Sequence, residues 1–294
     1  MVKLARMWTN DIEILFFRNA LQMANPDKLF YRLDEGLFAF VPKNCVGRGA
    51  TIQSRNSLIG NFSEKWAKEF LEPIATGLGL YVVDTVRCDS LGLTVKSEAD
   101  LAFCTTKDRY QKPQNIRLIF EIKMSVVSNY QYIDPNTIKY VGDYNSHKGI
   151  PALLRSDSML KAAGKAIYVR SSCADVATIP ILILCNSPIT KGYARKVDSL
   201  KSAGVVQGFW SLNPKPSDAK HSDYVTQTKD SGFVTFSSVN EVEKAIKELL
   251  HDDKTFFASR IPKPELGKII RIACEEKTDE ARAEKFLSLI RSIA

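Results

Sequence analysis

The sequence has few of the residue patterns that build zinc centres, disulfide scaffolds or membrane spans. Its three histidines form no pair at ligand spacing, and its six cysteines are scattered without a Cys-x-x-Cys pair. This argues against zinc and favours free thiols in a reducing cytoplasm. The longest apolar runs, such as Pro180–Cys185, have the length of a strand rather than of a membrane span. The N-terminus lacks the apolar stretch of a signal peptide, and the chain has no repeat, phosphate-binding Gly-Lys loop or dinucleotide glycine fingerprint.

The composition is that of a globular protein with a moderate excess of positive charge. The 294 residues are 45% hydrophobic and 25% charged, and 41 Lys and Arg against 33 Asp and Glu give a net charge of +8. This charge suits a polyanionic partner, but it is also an ordinary solubility feature. We therefore expect a cytoplasmic protein without a membrane partner.

The order of the apolar patterns predicts an α/β fold. A helix from Glu64 to about Ala75 precedes a strand at Leu80–Val86 and a hairpin with strands at Glu98–Phe103 and Ile116–Lys123. Helix followed by strand then occurs twice, and the chain ends in helices. We expect a mixed β-sheet core flanked by helices, with additional N- and C-terminal helical elements. The expected divisions are an N-terminal helix and basic loop (1–60), the core (61–215), and a linker with C-terminal helices (216–294).

The strand Ile116–Lys123 carries two charges within an apolar run. Because side chains alternate along a strand, Glu121 and Lys123 share a face with Ile119, and lie about 6.6 Å apart along it. Burying such charges is costly unless they are paired or bind a metal. Charged strand ends are common, so this pair gains weight only from its surroundings.

An antiparallel hairpin would bring the carboxylate of Asp100 beside that of Glu121. Two converging carboxylates repel each other unless a cation lies between them, and oxygen ligands without histidine or cysteine favour Mg²⁺ or Mn²⁺ over zinc. Glu98 lies on the same strand face as Asp100 and is the rival ligand. A strand-end aspartate bonded to a turn is the alternative explanation for Asp100, and we favour the metal ligand.

Glu64 is a third candidate acid. It falls about 90° from the centre of the apolar face of its helix, so its side chain could extend over the sheet, whereas Glu69 and Glu72 should face solvent. An acid in a first helical turn also interacts favourably with the helix dipole, which remains the alternative explanation.

These residues resemble a known active-site signature. Asp100, the spacer of 20 residues and Glu121-Ile122-Lys123 resemble the motif of the PD-(D/E)XK nuclease superfamily, and Ser63-Glu64-Lys65-Trp66 resembles its acidic helix. Ala99 stands where the motif has its proline. The size and the basic flanks are most similar to those of a type II restriction endonuclease, and the resemblance covers the central half of the chain.

The resemblance implies a reaction and a set of roles. Asp100, Glu121 and the Ile122 carbonyl would hold Mg²⁺, with Mn²⁺ as a substitute. Lys123 would orient the attacking water, and Glu64 would position a second ion or its water. The expected activity is hydrolysis of double-stranded DNA at a short, palindromic site to leave 5′-phosphate ends, by a homodimer with a cognate DNA methyltransferase as functional partner. A structure-selective repair or junction-resolving nuclease and a non-catalytic DNA-binding protein remain alternatives.

Several polar segments are candidates for contacts with DNA. No acid occurs between Gly36 and Ser63, and an exposed basic loop there would suit phosphate or base contacts, although a loop that solvates its charges fits equally well. The residues after Lys123 and a polar loop farther on supply more candidates. Together these are Lys43, Arg48, Arg55, Ser125, Asn129, Tyr130, Asn145 and Lys148. The basic residues Arg155, Lys161, Lys165 and Arg170 could line a phosphate track, but a solvated helix face is the simpler explanation.

Overall fold

The computed structural model describes residues 6–46, 51–173, 175–218, 225–251 and 263–293. In these ranges the helices are α1 (Asn10–Leu21), α2 (Gln53–Gly77), α3 (Ser156–Arg170), α4 (Lys191–Ser202), α5 (Val239–His251), α6 (Lys263–Ala273) and α7 (Asp279–Ile293). The strands are β1 (Tyr31–Leu33), β2 (Gly36–Phe38), β3 (Tyr81–Val86), β4 (Ala99–Cys104), β5 (Ile116–Lys123), β6 (Asn129–Asp134), β7 (Thr137–Gly142), β8 (Ile181–Cys185), β9 (Gly208–Ser211) and β10 (Phe233–Thr235).

The strands form a mixed sheet and a smaller antiparallel sheet. The mixed sheet has six strands in the order β10-β9-β8-β5-β4-β3. Its strands β3, β4 and β5 are antiparallel, and β5, β8, β9 and β10 are parallel. The smaller sheet has the order β1-β2-β6-β7. The expected α/β class, with a mixed sheet and flanking helices, is confirmed.

Helices cover both faces of the mixed sheet. The side chains of β5 point alternately to these two faces and into the apolar core on each. Leu118, Phe120 and Ile122 face the core that includes buried residues of α1, α2 and α5. Ile119 faces the other core, which includes residues of α3 and α4. The two-residue alternation predicted for β5 is thus confirmed, and it leaves Glu121 and Lys123 on the α3 side of the sheet.

Helix α2 begins earlier than its sequence suggests. It starts at Gln53, so Ser63 is an interior helical residue whose hydroxyl donates to the Gly60 carbonyl at 2.9 Å. Residues at helical spacing, among them Arg55, Ile59 and Ser63, are buried along one face. Burial of that face outweighs the weak helix propensity of the Ser, Asn and Gly residues in this part of the chain. The expectation of one exposed basic loop up to Ser63 is therefore wrong.

Other elements lie outside the expected divisions. The expected boundary between residues 60 and 61 falls within α2, and β10, which follows the boundary at 216, extends the mixed sheet. Strands β6 and β7 form a hairpin where the sequence suggested polar DNA contacts. Among the described residues, no helix combines the length and the apolar character that a membrane crossing requires.

Candidate active site

The hairpin of β4 and β5 brings two carboxylates to the same face of the sheet. Leu101 pairs with Phe120 and Ala102 with Ile119, so the next step of this register places Asp100 opposite Glu121. The Ile122 N–H donates to Asp100 Oδ2 at 2.7 Å, which holds the aspartate against β5. The convergence expected from the sequence is present.

Two lysines neutralise these acids. Lys123 contacts Glu121 Oε1, and its Nζ also lies 3.3 Å from the Ile122 carbonyl oxygen. Lys165, from α3, lies 2.9 Å from Asp100 Oδ1 and also contacts Glu121 Oε2. The result is a quartet of two carboxylates and two ammonium groups, which we call the acid–lysine cluster: Asp100, Glu121, Lys123 and Lys165.

The acid–lysine cluster is largely shielded from solvent. The Glu121 side chain is 8% exposed, and those of Asp100, Lys123 and Lys165 are 17%, 21% and 24% exposed. Burial raises the pKa of Glu121, as does Asp100, while Lys123 and Lys165 act in the opposite direction. Burial also lowers the pKa of Lys165, but the two carboxylates outweigh it, so the net direction is upward. The lysine ammonium groups therefore compensate much of the cost of burying the acids.

Glu64 belongs to the same neighbourhood. Its side chain is half-buried on α2, and its pKa is raised, first by burial and then by Asp100, against the opposing effect of Lys123 and Lys165. Within the described part of the chain, its carboxylate has no ion pair. Glu69 and Glu72 are exposed, as predicted. Glu64 is thus the acid of α2 that lies near the cluster.

Glu98 does not take the place of Asp100. Its carboxylate pairs with the guanidinium of Arg87, which also stacks against Tyr110. The aspartate, not the glutamate, contacts β5 and Lys165. The choice left open by the sequence is therefore resolved in favour of Asp100 as the acid that faces Glu121.

The strand beside Asp100 has an unusual backbone conformation. Asp84 pairs with Leu101 and Val86 with Ala99, so Thr85 lies between them, next to Asp100, with φ +48°. A β-branched residue in the left-handed region is strained, and such residues concentrate at functional sites. Thr85 thus has a backbone conformation that is rare for a β-branched residue, directly beside Asp100.

A polar cleft opens beside the cluster. Its volume is about 470 Å³, and its lining includes the side chains of Lys123, Lys148 and Arg155. Ser125 also lines it, and both backbone groups of Ser125 are held by Asn186: the Ser125 N–H donates to Oδ1 at 3.1 Å and the carbonyl accepts from Nδ2 at 2.6 Å. Four cationic residues, Arg55, Lys123, Lys148 and Arg155, thus line the cleft, and Lys123 is the member of the acid–lysine cluster among them.

Several of the predicted DNA contacts are structural instead. Arg55 is 4% exposed and donates to the carbonyls of Leu29 and Ala39, with its guanidinium over the Phe40 ring. Tyr130 is fully buried in the core around α1 and α2. The predictions for these residues are wrong because both side chains are buried inside the protein, and the guanidinium of Arg55 donates its hydrogen bonds to the backbone there.

Four further candidates have mixed outcomes. Asn129 is fully buried and its Oδ1 accepts from the Phe40 N–H at 2.8 Å, so the prediction of a DNA contact is wrong for it as well. Lys43 is exposed, and Asn145 is exposed in a turn closed by its own N–H to Asp143 Oδ1 at 2.8 Å. Neither of these two residues lines the cleft. Arg48 lies outside the described residues.

Lys165 is the site residue whose position the sequence did not predict. Met159, Ala162, Ala166 and Val169 form the buried face of α3, and Lys165 lies at the border of that face. The same helix buries Arg170, whose guanidinium donates to backbone carbonyls including that of Ile179 at 2.7 Å. Lys165 directly precedes the buried Ala166. Its place at the edge of the apolar face of α3 was the sequence signal that its side chain could extend toward the sheet.

The donors present fit a hard divalent cation. Asp100 Oδ1 and Glu121 Oε2 both contact the single ammonium of Lys165, which shows that one small cation contacts both carboxylates at once. The Ile122 carbonyl adds a third oxygen nearby. In the described residues no group of three or more His, Cys, Asp or Glu side chains is arranged to hold a metal. Magnesium commonly uses one or two carboxylates and completes its shell with water and phosphate oxygens, so this donor set is sufficient.

No family model, curated protein or solved structure matches the chain. The function is therefore inferred from the geometry of the acid–lysine cluster and the cleft beside it.

Proposed function

We propose that this protein is a Mg²⁺-dependent endodeoxyribonuclease that hydrolyses phosphodiesters of double-stranded DNA. The observation that carries the proposal is the approach of Asp100 and Glu121 to a common cation, with Lys123 beside them and a cationic cleft at their side. Two acids and a lysine at one end of a hairpin are the groups that metal-assisted phosphodiester hydrolysis needs. Within that activity we favour a type II restriction endonuclease.

Each group has a role that follows from its position. Asp100, Glu121 and the Ile122 carbonyl would hold Mg²⁺ or Mn²⁺, which when bound lowers the pKa of water and offsets phosphate charge. Lys123, which lines the cleft and contacts Glu121, would orient the attacking water and the scissile phosphate. Glu64 would bind or position a second ion or its water. Lys148, Arg155 and Ser125 would contact the phosphate backbone along the cleft.

The proposal includes two expectations about partners. If the recognised site is palindromic, two-fold symmetry calls for a homodimer in which each subunit cuts one strand. A restriction enzyme also needs a DNA methyltransferase of the same specificity to protect the host DNA. Both expectations depend on sequence-specific cleavage and are not required by the cluster itself.

Incubation of unmethylated phage DNA with the purified protein and Mg²⁺, followed by sequencing of the fragment ends, tests the proposal. We expect discrete bands that share end sequences and carry 5′-phosphates, and no cleavage in EDTA. Glu121→Ala and Lys123→Ala should each abolish cleavage while DNA binding is largely retained. Cleavage by either variant would show that β5 is not the reaction centre.

The same assay separates the alternatives. Cutting confined to branched substrates, without shared end sequences, would favour a repair or junction-resolving nuclease. Binding that is unaffected by Mg²⁺, with intact DNA throughout, would favour a DNA-binding protein in which the acid–lysine cluster is structural. Steep dependence of binding on salt is expected in all three cases and does not distinguish them.

A further inference from the structure

Lys165 occupies the point on which the two carboxylates converge. Its Nζ lies 2.9 Å from Asp100 Oδ1 and also contacts Glu121 Oε2. The lysine comes from α3, whereas both acids come from the β4–β5 hairpin. A cationic group from a separate element thus bridges the acids that the proposed function assigns to the metal.

The four carboxylate oxygens of the cluster are already engaged. Asp100 Oδ2 accepts from the Ile122 N–H at 2.7 Å, and Glu121 Oε1 pairs with Lys123. The other two oxygens, Asp100 Oδ1 and Glu121 Oε2, are the ones that Lys165 bridges. A metal that binds both acids and leaves the Ile122 N–H and the Lys123 ammonium in place must therefore use the oxygens that now bind Lys165.

An ammonium group and a magnesium ion compete for this pair of oxygens. Magnesium binds oxygen at about 2.0–2.1 Å, and it would place a doubly charged ion against the positive Lys165 Nζ. A metal ion on both oxygens would lie next to the ammonium that also contacts them, and two adjacent cations repel each other strongly in a partly buried site. The long, flexible stem of lysine, which is 24% exposed here, allows the ammonium to move away.

We propose that Lys165 is a displaceable internal counter-ion that occupies the metal position until the divalent ion enters. This inference rests on the proposed function, because it takes the acid–lysine cluster to be a metal site. Lys165 keeps the two carboxylates together in the free protein and competes with the ion for them. The affinity of the free protein for metal is consequently low, and a DNA phosphate in the neighbouring cleft supplies the released ammonium with a new anionic partner.

Lys123 provides the matched comparison. It carries the same charge as Lys165 and also pairs with Glu121. It contacts Glu121 Oε1 and the Ile122 carbonyl oxygen, however, and not the Oε2 atom that Lys165 contacts. Removing either lysine deletes one positive charge from the cluster, whereas only removing Lys165 vacates the bridging position. A difference between Lys165→Met and Lys123→Met therefore measures competition for the position rather than charge alone.

Calorimetric titration with MnCl₂ in the absence of DNA is the first test. We expect Lys165→Met to bind Mn²⁺ about tenfold more tightly than the parent, a coupling of ordinary size, and Lys123→Met to show a smaller gain. Lys161→Met, which changes an exposed lysine one turn earlier on α3, should bind as the parent does. Equal affinity of the parent and Lys165→Met for Mn²⁺ would overturn the counter-ion role and leave the nuclease proposal intact. Absence of binding in every variant would overturn both.

Amine labelling of the unmodified protein is the second test, and it does not depend on a variant that folds. A lysine-reactive ester followed by mass spectrometry reports the accessibility of Lys165 relative to Lys161 in the same protein. We expect Mg²⁺ alone to increase labelling of Lys165 at least severalfold while labelling of Lys161 stays constant. Unchanged labelling of Lys165 at a Mg²⁺ concentration that calorimetry shows to be saturating would contradict the displacement.

Discussion

Glu13 and His147 bind the two sides of a single backbone residue, Val127. The Val127 N–H donates to Glu13 Oε1 at 2.8 Å, and His147 Nε2 lies 2.9 Å from the Val127 carbonyl oxygen. The Gly149 N–H donates to His147 Nδ1 at 3.0 Å, so the ring is neutral and its proton is on Nε2. Val127 lies in the short segment between β5 and β6, which joins the mixed sheet to the smaller sheet. Two buried titratable groups thus anchor the connection directly after the acid–lysine cluster.

His147 should make the stability of the protein fall in acid. Burial lowers the pKa of His147 from 6.5 to about 4, so between these values the unfolded chain binds a proton that the folded chain does not. The free energy of unfolding therefore rises with pH across this window, by about 3 kcal/mol in total. His147→Gln should flatten that part of the curve, as measured by urea denaturation from pH 4 to pH 7. A variant curve parallel to that of the parent would contradict the assignment of a neutral, buried His147.

Glu13 should have the opposite pH dependence. Burial raises the pKa of Glu13 from 4.5 to about 7, although the N–H groups of Trp8, Val127 and Ser128 oppose the shift. Between these values the folded chain keeps a proton that the unfolded chain loses, so the free energy of unfolding falls as pH rises.

Glu13→Gln tests this sign. The variant should be less stable than the parent because an amide accepts fewer of the three N–H groups. Its deficit should shrink as pH rises from 4.5 to 7, since the variant lacks the ionisation that costs the parent up to about 3 kcal/mol. Urea denaturation at several pH values measures the difference, and a deficit that grows with pH would show the sign to be wrong.

Asp100 and Glu98 should respond differently to neutralisation. Asp100→Asn removes a charge from the acid–lysine cluster and should reduce DNA cleavage at least about 100-fold. Glu98→Gln removes the partner of Arg87 and should leave cleavage within a few fold of the parent, with a small loss of stability. Initial cleavage rates at saturating Mg²⁺ make the comparison. The reverse ranking would move the ligand assignment to Glu98.

Substitution of Lys148 should weaken DNA binding without destabilising the fold, whereas substitution of Arg55 should do the reverse. Lys148 is exposed at the cleft, so Lys148→Ala should reduce the slope of log affinity for DNA against log salt by about 1, with little effect on folding. Lys139→Ala, which changes an exposed lysine of β7 that does not line the cleft, is the matched control and should keep the slope of the parent. Equal slopes for all three proteins would remove the cleft from the DNA-binding surface.

Arg55→Ala should instead destabilise the fold. It leaves the buried carbonyls of Leu29 and Ala39 without their donor, which should cost about 3 kcal/mol or more in the free energy of unfolding. The salt dependence of DNA binding should not change at temperatures where the variant is folded. Denaturation and binding measurements on the same preparation check both parts.

The sequence predicted the hairpin that carries the two acids and the helix α3, but not the contact of Lys165 with those acids. The bounds of β5 were predicted as Ile116–Lys123 and confirmed, because apolar alternation and a polar connection define a strand locally. The position of Lys165 depends on how α3 rotates over the sheet. The apolar spacing predicts an inward face of Met159, Leu160, Ala163 and Ile167, and this prediction is wrong for Leu160 and Ile167, which are 67% and 46% exposed. Periodicity alone does not choose between adjacent apolar stripes on one helix.

Two further misses have physical explanations. The hairpin of β6 and β7 surrounds the two-residue turn Pro135-Asn136, and Tyr130 alternates with polar neighbours along β6. Apolar and polar residues that alternate on both sides of a short turn indicate a hairpin. The many polar residues of this segment made a loop the more obvious interpretation. The burial of Arg55 arises from contacts with residues of β1 and the segment after β2, which sequence spacing does not reveal.

The bent conformation at Thr85 has a consequence for assembly. Strand β3 forms one margin of the mixed sheet, and β10, with three residues, forms the other. A left-handed kink at one margin and a very short strand at the other are poor templates for recruiting a further strand. We therefore expect that two copies of this chain do not join their mixed sheets into one continuous sheet.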